Sequence, residues 1–386
     1  MLLEIAERGV FRRGDFEVFV ERRLDGAYLA EAVYKLKRSL PASLPEDKGV
    51  EVRVRGGSVL LRSSGESKRG ALRKVIRWAL SVRYPDVHVT RRAGCYVEIR
   101  EGRVVRVGRP RLSYCPLAAR TFRMPFTKES IIEGFAKRIG EGMFCEERCV
   151  SRRRDWVLYG ASEIMADALE DGLIDAAVTV CEGAGTVVSS KPEIVQGMGA
   201  KMTGVFLTSP MRTVIDKLEE SSLVVFPFTA EIDQLKGVEL ARERGFRRLA
   251  VTFASGAVRK MRFLDEDVIK LAVCTTGIGV YEASVAKERA DIVWGCASKN
   301  VRKIVAPHAV LQLGIKIPVF VMTEKGLELV KARIKRLSRK LWMKMADLRM
   351  DRRYCIWRRW PSSPDEEFRM EEAELPVEGD GPTPLL

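Results

Sequence analysis

Beyond Asp155 the chain alternates largely apolar runs with amphipathic stretches. The run from Ile174 to Val180 has the length and β-branched character of a strand buried on both faces. SLVVFPF, RRLAVTFA, VIKLAVCTT, DIVWGCA and KIPVFVM read the same way. Between them lie stretches of helical period. YGASEIMADALEDG precedes the first strand, and helices around Glu193 and Arg212 follow it. Then come IDQLKGVELARERG, a short helix around Arg259, YEASVAKERA, KNVRKIVA, and a last helix from Glu324 to about Arg339 capped by Thr323. Strands alternating with helices of this length predict an α/β core over residues 155–340, a mainly parallel sheet with helices on both faces.

The chain ahead of that core has a different rhythm. FEVFVERR alternates like a strand, GAYLAEAVYKLKRSL has helical spacing, and GVEVRVRGGSVLLRSS reads as a hairpin turning at Gly56-Gly57. SKRGALRKVIRWALSVRY is a basic amphipathic helix and DVHVTRR a strand. The order β-α-β-β-α-β predicts a small basic α+β domain of ferredoxin-like type over residues 1–92. Residues 93–154 read as a β-hairpin turning at Glu101-Gly102, then a helical connector carrying cysteines. Residues 341–386 form a basic, then Pro- and Glu-rich acidic tail, expected to be largely disordered.

Composition sharpens this picture in three ways. No apolar run among the 386 residues approaches the roughly 20 needed to span a bilayer. The N-terminus lacks the apolar core of a secretion signal, so a soluble, cytoplasmic protein without a membrane role is expected. Eight cysteines in a chain of this size imply reduced thiols, and with only His88 and His308 available a metal site would lean on sulfur and carboxylate. The net charge of +15 is uneven: residues 51–154 hold 25 basic and 10 acidic side chains, and residues 331–359 hold 12 and 2. Such flanks suit RNA or an anionic protein surface, with solvated arginine-rich faces as the plain alternative. The hairpin and the SKR-initiated helix also faintly resemble a small ribosomal large-subunit protein of eukaryotic type.

Candidate chemistry gathers where strands end. Three runs finish on a cysteine followed by a small polar loop: Cys181-Glu-Gly-Ala-Gly-Thr, Cys274-Thr-Thr-Gly-Ile-Gly and Cys296-Ala-Ser-Lys-Asn. Ligands of parallel sheets bind at strand carboxyl ends. These residues therefore predict one crevice lined by Cys181, Glu182, Gly183, Gly185, Thr186, Cys274, Thr275, Cys296, Ser298 and Lys299. The helix opening near Ser189, Ser190 and Pro192 would add an N-terminal anion site. Gln196 in QGMGAKMTG and Asp233-Gln234 after TAEI belong to the same predicted edge, where Asp233 also suits a helix cap. Cys181, Cys274 and Cys296 could hold a metal or one of them could act as a nucleophile; cysteine also ends buried strands simply as a small hydrophobe. A second set, Cys95, Cys115, Cys145 and Cys149, offers a four-thiolate site for zinc or an iron–sulfur cluster, though without a CxxC knuckle.

Residues from about Val87 to Lys335 resemble the archaeal methanogenesis marker protein 8 family. The resemblance rests on GRVVRVGRPRLSYCPL, on YGASEIMADALEDGLIDAAVTVCEGAGTVVSSKPEIVQGMGAKMTG, on IDQLKGVELARERGFRRLAVT and on ADIVWGCASKNVRKIVAPHAVLQLGIKIPVFVMTEKGLELV. It implies a cytoplasmic archaeal protein tied to methane metabolism and to methyl-coenzyme M reductase, its cofactors or its assembly factors. Carried over by position, it marks Cys115, Cys181, Glu182, Gly183, Gly185, Thr186, Gln196, Asp233, Gln234, Cys296, Ser298 and Lys299. The expectation is a protein binding a small ligand, metal or cluster at the strand ends. The alternatives are an RNA- or protein-docking module using the basic flanks, and a phosphate- or pterin-binding enzyme using the Gly-rich corner.

Overall fold

A computed structural model describes residues 87–119, 125–227, 229–337 and 381–386 continuously, together with 10–13, 16–22, 28–35, 50–55, 58–66, 70–71, 74–75, 341–345, 353–357 and 370–374. The architecture is mixed α/β. One sheet of eleven strands runs in the order Leu223–Val224, Gly185–Ser189, Ala176–Cys181, Leu249–Ala254, Ile269–Val273, Ile292–Trp294, Val319–Val321, Leu311–Leu313, Leu341–Met345, Arg353–Trp357 and Met370–Glu374.

The four central strands, from Ala176–Cys181 to Ile292–Trp294, are mutually parallel. Every other neighbouring pair is antiparallel. The expectation of a mainly parallel sheet is corrected to a parallel centre inside antiparallel borders. An apolar run reports that a strand is buried and carries no information about the direction of its partner. On one side GTVVS folds straight back on its predecessor, pairing Gly185 with Cys181. On the other, Leu311–Leu313 and Val319–Val321 make a second reversal.

Helices cover both faces of this sheet, as the alternation of apolar side chains requires. Ala177, Ala250, Leu271, Val319 and Val321 pack with the helices Ala161–Glu170, Pro192–Gly199 and Glu324–Lys335. Their chain neighbours Ala176, Val251, Ala272 and Phe320 turn the other way, onto Gln234–Glu243, Val280–Arg289 and the 3-10 turns of Ser255–Phe263. Each fully buried large side chain, such as Phe253 or Ile164, contributes roughly 1.5–3 kcal/mol. The last helix begins as expected, with Gly326 N–H donating to Thr323 Oγ1 at 3.2 Å. Its Arg333, 1% exposed, donates to the carbonyls of Leu158 and Val157 and pairs with Asp167 (3.1 Å) and Asp155 (2.9 Å). That guanidinium pins the loop of residues 155–160 to the core.

A separate four-stranded antiparallel sheet runs Val205–Thr208, Val87–Arg92, Cys95–Arg100, Arg103–Val107. Its two tight turns, Ala93-Gly94 (φ 48° and 75°) and Glu101-Gly102 (φ 47° and 64°), use the left-handed pairs that match the strand twist. The helix Lys128–Gly140 packs Ile131 and Phe135 against Val97 and Ile99. It opens with Ser130 N–H donating to Thr127 Oγ1 and Thr127 N–H donating to Ser130 Oγ.

The N-terminal expectation needs the larger correction. Described residues there form an antiparallel sheet in the order Val10–Arg13, Phe16–Arg22, Tyr28–Lys35, Ser58–Gly65, Glu51–Arg55. The stretch expected as a helix is the strand Tyr28–Lys35, so a ferredoxin-like order is not formed. YLAEAVYK satisfies both periods, and strand partners on each side decide between them. The strand Val87–Arg92, assigned to the same unit, pairs instead with Cys95–Arg100 and Val205–Thr208. The Gly56-Gly57 turn and most of the expected basic helix lie outside the described residues. The described parts of the tail also depart from expectation. Three of its segments extend the central sheet. Residues 381–386 dock on the core, where Thr383 N–H donates to Tyr114 O, Leu386 N–H donates to Ala297 O, and Lys299 N–H donates to Leu386 O. Sheet edges supply these partners, which composition does not foresee.

Candidate functional site

Between the four-stranded sheet and the carboxyl ends of the parallel strands lies a cleft of about 1620 Å³. Such rims are where open α/β sheets take ligands. Strand ends contribute Thr179, Thr252, Ala254, Val273, Cys274, Trp294 and Cys296; the opposite wall is formed by Arg91, Arg92, Tyr96 and Phe206. The loop of Trp156 and Tyr159 closes one side.

The charge inside is one-sided. Eleven of the residues lining the cleft are Lys or Arg and three are Glu. Each glutamate is already engaged. Glu98 is paired with Arg100, Glu141 with Lys201 at 2.5 Å, and Glu163 accepts from the backbone N–H groups of Trp156 and Val157. Lys201, itself at φ 59°, also places its ammonium 3.7 Å from the centre of the Trp156 ring.

Two of the cations, Arg92 and Arg138, lie within electrostatic reach of each other, Arg138 buried and Arg92 partly so. Arg92 ends the Val87–Arg92 strand; Arg138 sits in the last turn of Lys128–Gly140 and is 6% exposed. A cation in that turn is favoured by the helix dipole. Burial, then the charge of Arg92, pushes Arg138 down to about 9, and burial also lowers Arg92. The charges of Glu141 and Glu182 act in the opposite direction and raise Arg138. Like charges held in a desolvated wall favour an incoming anion.

Thiols line the floor. Cys274 and Cys296 are both in the left-handed region, at φ 52° and 42°, a strained conformation for residues with a Cβ. Each lies within electrostatic reach of a further thiol, Cys274 of Cys296, and Cys296 of Cys115. Burial pushes Cys274 up to about 12 and raises Cys296 and Cys95 as well, so all three are protonated at neutral pH.

The expected crevice is therefore divided. Of its residues, Cys274 and Cys296 line the cleft. Cys181 is walled into an apolar cluster with Val187, Met198 and Ile215, where burial raises its pKa far above the ordinary thiol range. Glu182 is fully buried on Arg148. Gly183 and Gly185 serve the hairpin, not a strand-to-helix ligand loop. At Gly185 (φ +70°) a Cβ would come within 2.3 Å of the Ala230 backbone. Thr186 accepts from Asp233 N–H at 2.8 Å, Thr275 donates to Trp294 O, and Ser298 accepts from Val301 N–H. Gln196 Nε2 donates to Arg154 O, and Asp233 Oδ1 accepts from Leu235 N–H as a helix cap while facing Lys260 at 3.3 Å. Lys299 gives its backbone N–H to Leu386 O. The helix at Pro192 is preceded by Lys191, without a side-chain cap from Ser189 or Ser190.

Among the described residues no group of three or more His, Cys, Asp or Glu side chains is placed to hold a metal ion. Neither expected thiolate set assembles. Cys181 lies in its own apolar cluster, Cys145 donates to Ile139 O, and Cys149 is exposed. Zinc or iron–sulfur ligation thus finds no ready-made set here. Sequence reasoning passed over Arg92 and Arg138, which looked like two of many basic residues. The signal for Arg92 was its place between a strand and the Ala93-Gly94 turn.

Among the described residues no helix is long and apolar enough to cross a membrane. The family described as “Uncharacterized protein conserved in archaea (DUF2099)” matches residues 88–335. The chain is 37% identical over 264 residues to “Uncharacterized protein MJ0054” of Methanocaldococcus jannaschii, covering 66% of this chain and 93% of that protein. The matched span takes in nearly the whole lining of the cleft and leaves out the N-terminal five-stranded sheet.

Proposed function

This chain belongs to the archaeal DUF2099 family, and on the geometry of its cleft we propose that it binds an organic anion at the strand ends, with Arg92 and Arg138 holding the anionic group. The carrying observation is Arg92 and buried Arg138 together in the wall of a cavity whose charged lining residues are eleven Lys or Arg against three Glu. Lys137 and Lys201 stand near the same wall, and Trp156, Tyr159, Phe206 and Trp294 offer apolar surface to the ligand's body. Seven of the 25 basic residues in 51–154 line this cleft, and a concave site suits a small ligand better than an extended polyanion. The resemblance to the methanogenesis marker proteins extends the proposal: the ligand is an anionic cofactor of methane metabolism, and the protein assists its delivery or the maturation of methyl-coenzyme M reductase.

Thermal shift and calorimetry with phosphate, pyrophosphate, citrate and ethanesulfonate test the first step. The multivalent anions stabilise the wild-type chain, and Arg92→Met with Arg138→Met removes that effect. An equal shift in the double variant defeats the proposal.

A further inference from the structure

Gln234 is the most informative polar residue in the cleft outside the cationic wall. It is 3% exposed, lies at the first position of the Gln234–Glu243 helix, and lines the cavity. Its Nε2 donates to the carbonyl of Thr252 at 3.3 Å. That carbonyl accepts only a donor, so the amide cannot be turned round, and its oxygen is committed to the other side. Oε1 there has no hydrogen-bond partner. A buried acceptor left without a donor is costly, and one kept in the wall of a cleft calls for a donor from outside the chain, a water or a ligand.

Beside it lie two hydroxyls. Thr179 Oγ1 and Thr252 Oγ1 are 2.8 Å apart on neighbouring parallel strands, and both residues line the cleft. One of the two must donate to the other, which leaves the second hydroxyl's hydrogen available. The acceptor side chain is tied to Thr252 through its carbonyl, and the donor is one of the two hydroxyls of the Thr179–Thr252 pair. This pairing complements an N–H next to a C=O.

We propose that Gln234 and the Thr179–Thr252 hydroxyl pair form a neutral subsite for the amide edge, a lactam, imide or carboxamide, of the same ligand whose anionic group meets Arg92 and Arg138. The inference rests on the anion-binding reading and specifies the ligand's other end. Thr252 lies on the strand next to the one that runs into Cys274, whose thiol is within electrostatic reach of Arg91 and Arg92. The ligand is an amide-bearing organic anion whose two ends meet different walls of one cleft.

Three matched pairs of probes test this: uridine monophosphate and its N3-methyl analogue, flavin mononucleotide and its N3-methyl analogue, and suberic acid monoamide and monomethyl suberate. The wild-type chain is expected to bind at least one amide about tenfold or more tightly than its methylated or ester partner, the effect of leaving Gln234 Oε1 unpaired. Gln234→Leu is expected to erase that ratio while pyrophosphate affinity stays within about twofold, and Thr179→Val is expected to reduce it. If no pair shows a preference in the wild type, or the preference survives in Gln234→Leu, the subsite is refuted. Pyrophosphate binding reports on the anion site separately, so loss of one reading leaves the other measurable.

Discussion

Replacing Arg138 with Met separates stability from binding. Burial and the neighbouring Arg92 charge lower the Arg138 pKa to about 9. The guanidinium stays charged at pH 7, so the folded chain carries the cost of that charge. At about 1.36 kcal/mol per pH unit, the drop from an ordinary guanidinium corresponds to an upper bound of about 5 kcal/mol. Relaxation and water access shrink such figures, so a gain of about 1–3 kcal/mol is the reasonable expectation for the ligand-free variant. Methionine keeps an unbranched stem against Phe135, whose ring centre lies 5.2 Å from the guanidinium carbon. The sign with pH follows. For a base whose folded pKa is depressed, the penalty is fully present below about 9 and is relieved as pH rises from there toward the unfolded value. Urea denaturation at pH 7 should therefore show Arg138→Met as the more stable chain, with the gap narrowing by pH 10. The same variant should lose most of the stabilisation that pyrophosphate gives the wild type. A ligand at a hundred times its Kd contributes about 2.7 kcal/mol, so the loss is easily seen. An Arg138→Met chain that is less stable by more than about 1 kcal/mol without ligand, and still gains from pyrophosphate, would falsify the idea of a charge kept in the wall for an anion.

Other outcomes are expected on the same footing. Arg333→Met strips Asp167 and Asp155 of a buried partner and two loop carbonyls of their donor; a loss of about 3–5 kcal/mol in chemical denaturation is expected, and a loss under 1 kcal/mol would contradict it. Gly185→Ala drives a Cβ into the Ala230 backbone, whereas Gly172→Ala meets nothing within 4 Å at a similar positive φ (+66°). The first should cost more than about 3 kcal/mol and the second about 1 kcal/mol, read from denaturation midpoints; equal costs would refute the steric account. In iodoacetamide labelling at pH 8 followed by mass spectrometry, exposed Cys149 should react first, and Cys274, held up near 12 by burial, far more slowly. Comparable rates at the two positions would mean that the cleft floor is open and wet.

Several elements were legible from residue order because their physics is local. Thr323 at the head of the last helix, Pro192 in a first turn, and Glu101-Gly102 between two alternating runs all act through neighbours within a few positions. The central strands were equally plain, since Leu249–Ala254 and Ile269–Val273 must be buried wherever they go. Cys274 and Cys296 both line the cleft, because each follows one of two adjacent parallel strands. Cys181 follows such a strand too, yet its hairpin turns it into an apolar cluster.

What the amino-acid order determined by itself was which segments are apolar enough to be strands, where helices begin, and that thiols and glycines cluster after strand ends. Tertiary structure alone decided the direction of the bordering strands, the strand identity of Tyr28–Lys35, and the meeting of Arg92 with Arg138 across 46 positions of chain. Local preference acts over a few residues and is written in the sequence. Strand partnering and the field inside a cavity arise from groups distant along the chain, and their energy exists only once the fold has brought those groups together.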